Sequence, residues 1–239
     1  MNQTNNLSNR LMKIATYLPK GSFFADIGSD HAYLPCYVCE LDPTARAIAG
    51  EVNLGPYESA QTNIKSNQLE ERIDVRLGDG LAVIHDGEVT EIVIAGMGGS
   101  LIKQILDQGH NKLSKVRRII AQPNIAAPIV RSWFYDHDYV ISEEAIIDEN
   151  NHIYEIIVAD KKTDPTPYTL SEKELFFGPW LLKEKSAAFI KKWKHEKNKY
   201  YRIIEQMKAG TEVSKEKIAA FETELAWIEE VLSDGEMDE

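Results

Sequence analysis

The run Phe23-Phe24-Ala25-Asp26-Ile27-Gly28-Ser29-Asp30-His31-Ala32-Tyr33-Leu34-Pro35 constrains this chain more than any other stretch. A short apolar segment meets an acid, a glycine and a second acid, the pattern of a buried strand running into a tight turn. From Ala32 to Leu41 apolar residues recur at helical spacing. The turn therefore opens a helix whose first N–H groups attract polar ligand groups. Strand, glycine turn and helix in that order form the unit of a nucleotide-type cofactor site in a Rossmann-like sheet.

The turn lacks the phosphate fingerprint G-x-G-x-x-G. Asp30 stands where its second glycine belongs, and the charge repels a pyrophosphate. Acids suit a cationic ligand better. S-adenosylmethionine (AdoMet) carries a sulfonium and an ammonium and no phosphate, so Asp26, Gly28 and Asp30 point toward AdoMet and away from NAD. The structural alternative is an ordinary strand-turn-helix corner with a solvated acid pair.

Downstream segments fit a cofactor sheet. Ala45 to Gly50 reads as a second strand ending in Glu51-Val52-Asn53. Glu51 lies 23 residues beyond Gly28, close to the offset of roughly 20 at which an acid binds the ribose hydroxyls of an adenosine. Ile73 to Leu77 is a third strand ending in Gly78-Asp79-Gly80. Asp79 is either a bare turn residue or an acceptor for an adenine amino group. The fourth strand, Glu91 to Ala95, opens into Gly96-Met97-Gly98-Gly99, whose bare backbone makes room for a flat ring or a methyl donor. Arg118 to Gln122 is the fifth, closed by Pro123-Asn124. Tyr139 to Ile147 and Ile153 to Val158 flank a short polar turn and must run antiparallel. Strands alternating with helices, closed by a hairpin, predict a seven-stranded, mostly parallel α/β sheet. Ahead of it, Leu7, Leu11, Ile14 and Leu18 mark an amphipathic helix with Ser8 as N-cap. Arg10 falls off that stripe, toward solvent or a substrate.

Charge separates the two ends of the chain. The net charge of −11 argues against a nucleic-acid binder, but residues 183–208 hold 9 Lys and Arg against 3 Asp and Glu. A local basic segment can hold an anionic partner even when the whole chain is acidic. The proline-rich, polar stretch from Lys161 to Pro167 predicts a linker, dividing the chain into 1–160 and 161–239. Beyond it, Phe189, Trp193, Tyr200, Ile203 and Met207 mark one apolar seam, and Ile218, Phe221, Leu225, Ile228 and Leu232 another. With a turn at Ala209-Gly210-Thr211, the seams predict an antiparallel coiled-coil hairpin.

Cys36 and Cys39 have C-x-x-C spacing, but no second pair completes a zinc site, so no metal is expected and a buried apolar pair on one helix face is the reading. No disulfide framework, apolar leader or membrane-length apolar run is evident, which predicts a cytoplasmic protein with no membrane partner.

These residues resemble the bacterial tRNA adenine-N1-methyltransferase family often called TrmK-like, a class I AdoMet-dependent group with an added helical hairpin. The resemblance covers essentially the whole chain. It rests on Leu7-Ser8-x-Arg10-Leu11, Asp26 to Pro35, Glu51-Val52-Asn53, Gly78-Asp79-Gly80, Ala95-Gly96-Met97-Gly98-Gly99 and Gln122-Pro123-Asn124. It implies methyl transfer to N1 of an adenine in the D-arm region of tRNA. Apart from the resemblance, the expectation for partners is no DNA and a monomeric protein. Asp26, Gly28 and Asp30 would surround the methionine part of AdoMet, Glu51 the ribose, and Asp79 the adenine, with Val52, Asn53 and Gly80 as further cofactor-binding candidates. Ala95 to Gly99 would line the transfer site. Asp30, His31 and Arg10 are the candidates for work at the reacting atoms, with His31 either orienting the base or capping the helix. Lys191, Lys192, Lys194, Lys197, Lys199, Arg202 and Asn124 are the candidates for substrate contact, while Trp193 and Tyr200 are expected to fill the seam. Enzymes of adenine N6 usually carry an Asn/Asp-Pro-Pro-aromatic stretch after strand four. Ala95-Gly96-Met97-Gly98-Gly99 departs from it, which argues against amino-group methylation. Two rivals of other classes stay open: a noncatalytic AdoMet- or nucleotide-binding protein with an interaction hairpin, and a methyltransferase of another substrate.

Overall fold

The chain divides into two compact units, Met1–Leu170 and Ser171–Glu239; the computed structural model describes residues 7–209 and 214–234. In the first unit, seven strands form one sheet: β1 (Phe23–Ile27), β2 (Arg46–Glu51), β3 (Ile73–Leu77), β4 (Glu91–Gly98), β5 (Arg118–Ile125), β6 (Tyr139–Glu149) and β7 (His152–Lys161). Their order is β3-β2-β1-β4-β5-β7-β6. The first five are parallel, and β7 runs antiparallel to both β5 and β6. This is the expected seven-stranded, mostly parallel Rossmann-like sheet with its closing hairpin.

Apolar residues on both sides of each central strand require cover on both faces. Ala25, Ile27, Ile92 and Ile94 belong to one core, with Ile102 and Leu106 of α4 (Gly99–Gln108) and Val130, Trp133 and Phe134 of α5 (Ala127–Asp136). Phe24, Ala47, Ala49 and Val93 belong to the other. There they meet Ile14 of α1 (Asn9–Ala15), Leu34 and Val38 of α2 (Tyr33–Leu41), and Ala60 and Ile64 of α3 (Leu54–Ser66). The strand order reverses between β1 and β4, which leaves a crevice beyond their carboxyl ends.

Several boundaries differ from the sequence reading, three of them at the site or at the division of the chain. β4 and β5 continue past Ala95 and Gln122, because register shifts on either side of Met97 form a bulge that keeps glycine and proline in the sheet. The stretch 162–170 belongs to the first unit, so the division falls beyond residue 160. Leu170 packs on its core, and the Tyr168 hydroxyl accepts the Ile141 N–H at 3.2 Å.

The second unit holds α6 (Glu172–Phe177), α7 (Pro179–Glu184), α8 (Ala187–Ala209) and α9 (Lys215–Asp234). Lys208 pairs with Glu222, Tyr200 with Glu224 and Tyr201 with Glu229, so α8 and α9 run antiparallel. Trp193 is buried and packs edge-on or tilted among the rings of Phe176, Phe177 and Phe189, a seam residue as expected. The turn expected at Gly210-Thr211 lies outside the described residues.

Candidate active site

A cleft of about 580 Å³ occupies the crevice at the strand-order reversal. Its lining brings together Arg10, Asp26, Gly28, Asp30, Ala95, Gly96, Met97 and Asn124 from four separated stretches of the chain. Leu11, Ser29, Tyr33, His152, Ile153 and Tyr154 complete it, and none of these was among the candidate site residues. The last three come from the start of β7. Only the insertion of that strand beside β5 carries them there, a placement no local motif encodes.

The β1 turn is built on Gly28, whose φ of +69° requires the left-handed region. Asp30, His31 and Ala32 follow at φ of +44°, +68° and +57°, three successive nonglycine residues in the same region. Such positions cost on the order of 1–3 kcal/mol each and persist because the surroundings hold them. Gly28 and Ser29 both donate their N–H groups to Gly50 O, at 2.9 and 3.2 Å. The Asp30 N–H goes to a Glu51 carboxylate oxygen, and Asn63 Nδ2 donates to His31 O at 2.9 Å. The N–H groups of Gly28, Ser29 and Asp30 are thus spent inside the protein, beside the acids Asp26, Asp30 and Glu51. That donor set fits a cation-bearing ligand and does not fit a pyrophosphate.

Asp26 is buried, and the Ser29 hydroxyl donates to it at 2.6 Å. Burial pushes its carboxyl up to about 7; Ser29 pulls the other way, while Glu51 and Asp30 add to the rise and Arg10 opposes it. Glu51 is buried too and is raised chiefly by that burial. One of its oxygens holds the turn, leaving the other for a hydroxyl donor.

Opposite the turn, Glu149 of β6 accepts N–H groups from Asn9 and Arg10 and anchors the start of α1. A carboxylate at a helix N-terminus is favourable there. The Arg10 guanidinium lies over the Tyr154 ring, 5.1 Å from its centroid, and donates to Gln122 Oε1. Gly96, at φ +78°, turns its peptide out of the β4 ladder; its N–H goes to Gln122 Oε1 at 3.1 Å and its O accepts from Asn124 Nδ2 at 2.8 Å.

Other expected site residues lie apart from this lining. Val52 and Asn53 are exposed at the end of β2, and Asp79 is exposed at the end of β3, where it caps the short Gly80–Val83 turn without a side-chain bond. A Cβ on Gly99 would meet Ala126 O at 2.3 Å, so Gly99 serves the packing of α4 against the β5–α5 turn. At Gly98 a Cβ would meet only the Ile125 side chain, at 3.7 Å, an ordinary contact. His31 lines a neighbouring groove with Tyr33, Glu58, Thr62 and Asn63. The helix cap is Ala32, so the His31 side chain does not cap α2.

On α8 of the second unit, Lys199 pairs with Glu196, and the Lys192 ammonium sits 4.7 Å from the Trp193 ring. Lys194 and Lys197 form no ion pair among the described residues, and Arg202 donates to Asn198 O of its own helix.

Comparison with known proteins agrees with this geometry. The family model described as tRNA (adenine(22)-N(1))-methyltransferase matches residues 24–230. The Bacillus subtilis tRNA (adenine(22)-N(1))-methyltransferase is 43% identical over 234 residues, covering 96% of this chain and 98% of the relative. The crystal structure of the B. subtilis m1A22 tRNA methyltransferase TrmK superposes with a TM-score of 0.87 at 40% identity, covering 95% of this chain and 99% of that one. The structure of M. capricolum TrmK with S-adenosyl-homocysteine superposes at 0.81 with 27% identity, covering 95% and 98%.

Proposed function

The chain belongs to the tRNA (adenine(22)-N(1))-methyltransferase family, and from that premise we infer that it is an AdoMet-dependent enzyme methylating N1 of an adenine in the D-arm region of tRNA, with the cleft at the strand-order reversal as its active site. The observation that carries the cofactor assignment is the acidic turn whose Gly28, Ser29 and Asp30 N–H groups are already committed to Gly50 and Glu51.

Asp26 and Asp30 place negative charge where the methionine end of AdoMet would lie, Glu51 offers its second oxygen to the ribose, and Asp79 accepts from the adenine amino group. Val52 presents an apolar face beside Glu51. When bound, AdoMet supplies a methyl carbon that bonds to the N1 lone pair while the carbon–sulfur electron pair leaves with sulfur, so no proton need be removed first. The protein's task is then positioning, which contributes roughly 7–11 kcal/mol, together with an acidic environment for a base that becomes cationic. Met97 and the Gly96 peptide shape the space for the ring. Cys36 and Cys39 are buried with thiols pushed up to about 12 and 11 by that burial, so neither serves as a nucleophile.

An adenine in a folded tRNA must be exposed before it enters a cleft, at a cost of a few kcal/mol that phosphate contacts offset. The α8 cations suit that role, with Lys194, Lys197 and Arg202 free of acidic partners among the described residues. Nucleoside mass spectrometry tests the reading: tRNA from a strain lacking the gene should lose N1-methyladenosine, and the purified protein with AdoMet should restore it. Unchanged tRNA and no restoration would favour the noncatalytic alternative.

A further inference from the structure

Gln122 is completely buried within β5, yet its amide makes three hydrogen bonds to the cleft. Arg10 and the Gly96 N–H both donate to its Oε1, and its Nε2 donates to Asn124 Oδ1 at 3.2 Å. Asn124 Nδ2 in turn donates to Gly96 O at 2.8 Å. The bonding sense of the whole chain of amides is determined. Two donors demand an oxygen at one end of Gln122, a carbonyl demands an NH₂ from Asn124, and the two assignments meet without conflict. The arrangement has a backbone cause: Pro123, between the two amides, has no N–H for the ladder, and the side chains on either side of it recapture the Gly96 peptide that the bulge releases.

Asn124 is exposed and lines the cleft. With one N–H and one oxygen lone pair used internally, it keeps one of each for a ligand. We propose that Asn124 reads the N6/N7 edge of the target adenine and that Gln122 is the positioning residue that prevents its amide from flipping. This rests on the adenine-N1 reading above. An asparagine bonded to N6 and N7 leaves N1 open for methyl transfer, whereas contact with the Watson–Crick edge would cover it. Guanine would set its O6 against Asn124 Oδ1, and the locked amide cannot turn to accommodate it. Gln122 thereby contributes base choice without touching the base.

The test uses the full chain and tRNA carrying 7-deazaadenine at the target, which replaces N7 by C–H. Wild type should lose about 10-fold in kcat/KM on this substrate. Asn124→Ala should be slow on both tRNAs and show no further penalty. Gln122→Glu keeps acceptors for Arg10 and Gly96 but cannot donate to Asn124; it should lower kcat, keep the AdoMet Kd, and shrink the 7-deaza penalty toward 1. A purely structural Gln122 would leave that penalty intact in any variant that folds. Asn124→Ala alters an exposed side chain, so it keeps the test decisive if Gln122→Glu does not fold. Wild type insensitive to 7-deazaadenine, or Asn124→Ala retaining the full penalty, overturns the proposal. Absence of any methylation by wild type would instead overturn the function on which it rests.

Discussion

The backbone N–H of Asp30 donates to the carboxylate of Glu51, 21 residues further along the chain. One bond thus ties the strained turn after β1 to the end of β2 and makes both part of a single acidic surface. Glu51 has two tasks, holding the loop with one oxygen and meeting the ribose with the other. Removing it should therefore damage cofactor binding through both.

Glu51→Ala should weaken AdoMet binding by about 1–3 kcal/mol, the scale of leaving buried polar partners unpaired. Glu51→Gln, which keeps one acceptor, should lie between. Calorimetry with AdoMet measures this, and NAD in the same cell should give no heat. Wild-type affinity in Glu51→Ala would move the cofactor elsewhere.

The pH dependence follows from Asp26. Its folded carboxyl is raised from 3.8 to about 7, chiefly by burial, so between those values the folded apoprotein holds a proton that the unfolded chain has released. Its contribution to stability is complete below 3.8 and is lost as pH rises through about 7. A cationic ligand favours the ionised form. AdoMet affinity should accordingly rise from pH 6 to pH 8, with proton release visible as a buffer-dependent enthalpy, and Asp26→Asn should bind weakly with a flat profile.

Cys36→Ala and Cys39→Ala should leave turnover within a few-fold of wild type while lowering stability by about 1–2 kcal/mol through lost packing. A folded, AdoMet-binding cysteine variant without activity would restore a covalent mechanism.

On α8, each lost phosphate contact should flatten the slope of log affinity against log salt by roughly 0.7–0.9. Lys194→Gln and Lys197→Gln should show this in tRNA binding measured across a salt series. Lys199→Gln, whose ammonium is already paired with Glu196, should show less. An unaltered slope in the Lys194/Lys197 double variant would assign α8 to packing alone.

Two glycines separate packing from helix propensity. Gly99→Ala places a methyl against the Ala126 carbonyl and should destabilise by about 1–3 kcal/mol. Gly55, in α3 with nothing near its absent Cβ, should gain about 0.5–1 kcal/mol on replacement by Ala. Thermal unfolding of the two variants should shift in opposite directions.

Local pattern alone determined the strand-turn-helix unit at Asp26, the acid at the end of the second strand, the parallel sheet with its antiparallel close and the two helical seams, because each depends on residue spacing within a few turns of chain. The sheet edge on which Asp79, Glu51 and Ala95 would meet was legible for the same reason. Tertiary structure decided the rest. Glycines and Pro123 read as strand ends, yet a bulge carries β4 and β5 through them, since side-chain amides replace the missing ladder bonds. His152 and Tyr154 reach the cleft only because β7 inserts beside β5. Gln122, legible in the sequence only as part of Gln122-Pro123-Asn124, acquires its contacts from three groups that are distant in sequence or turned toward it by the bulge: Arg10, Gly96 and Asn124. Hydrogen bonds of that kind join residues according to where the folded backbone leaves a donor or acceptor unpaired, which one-dimensional periodicity does not record.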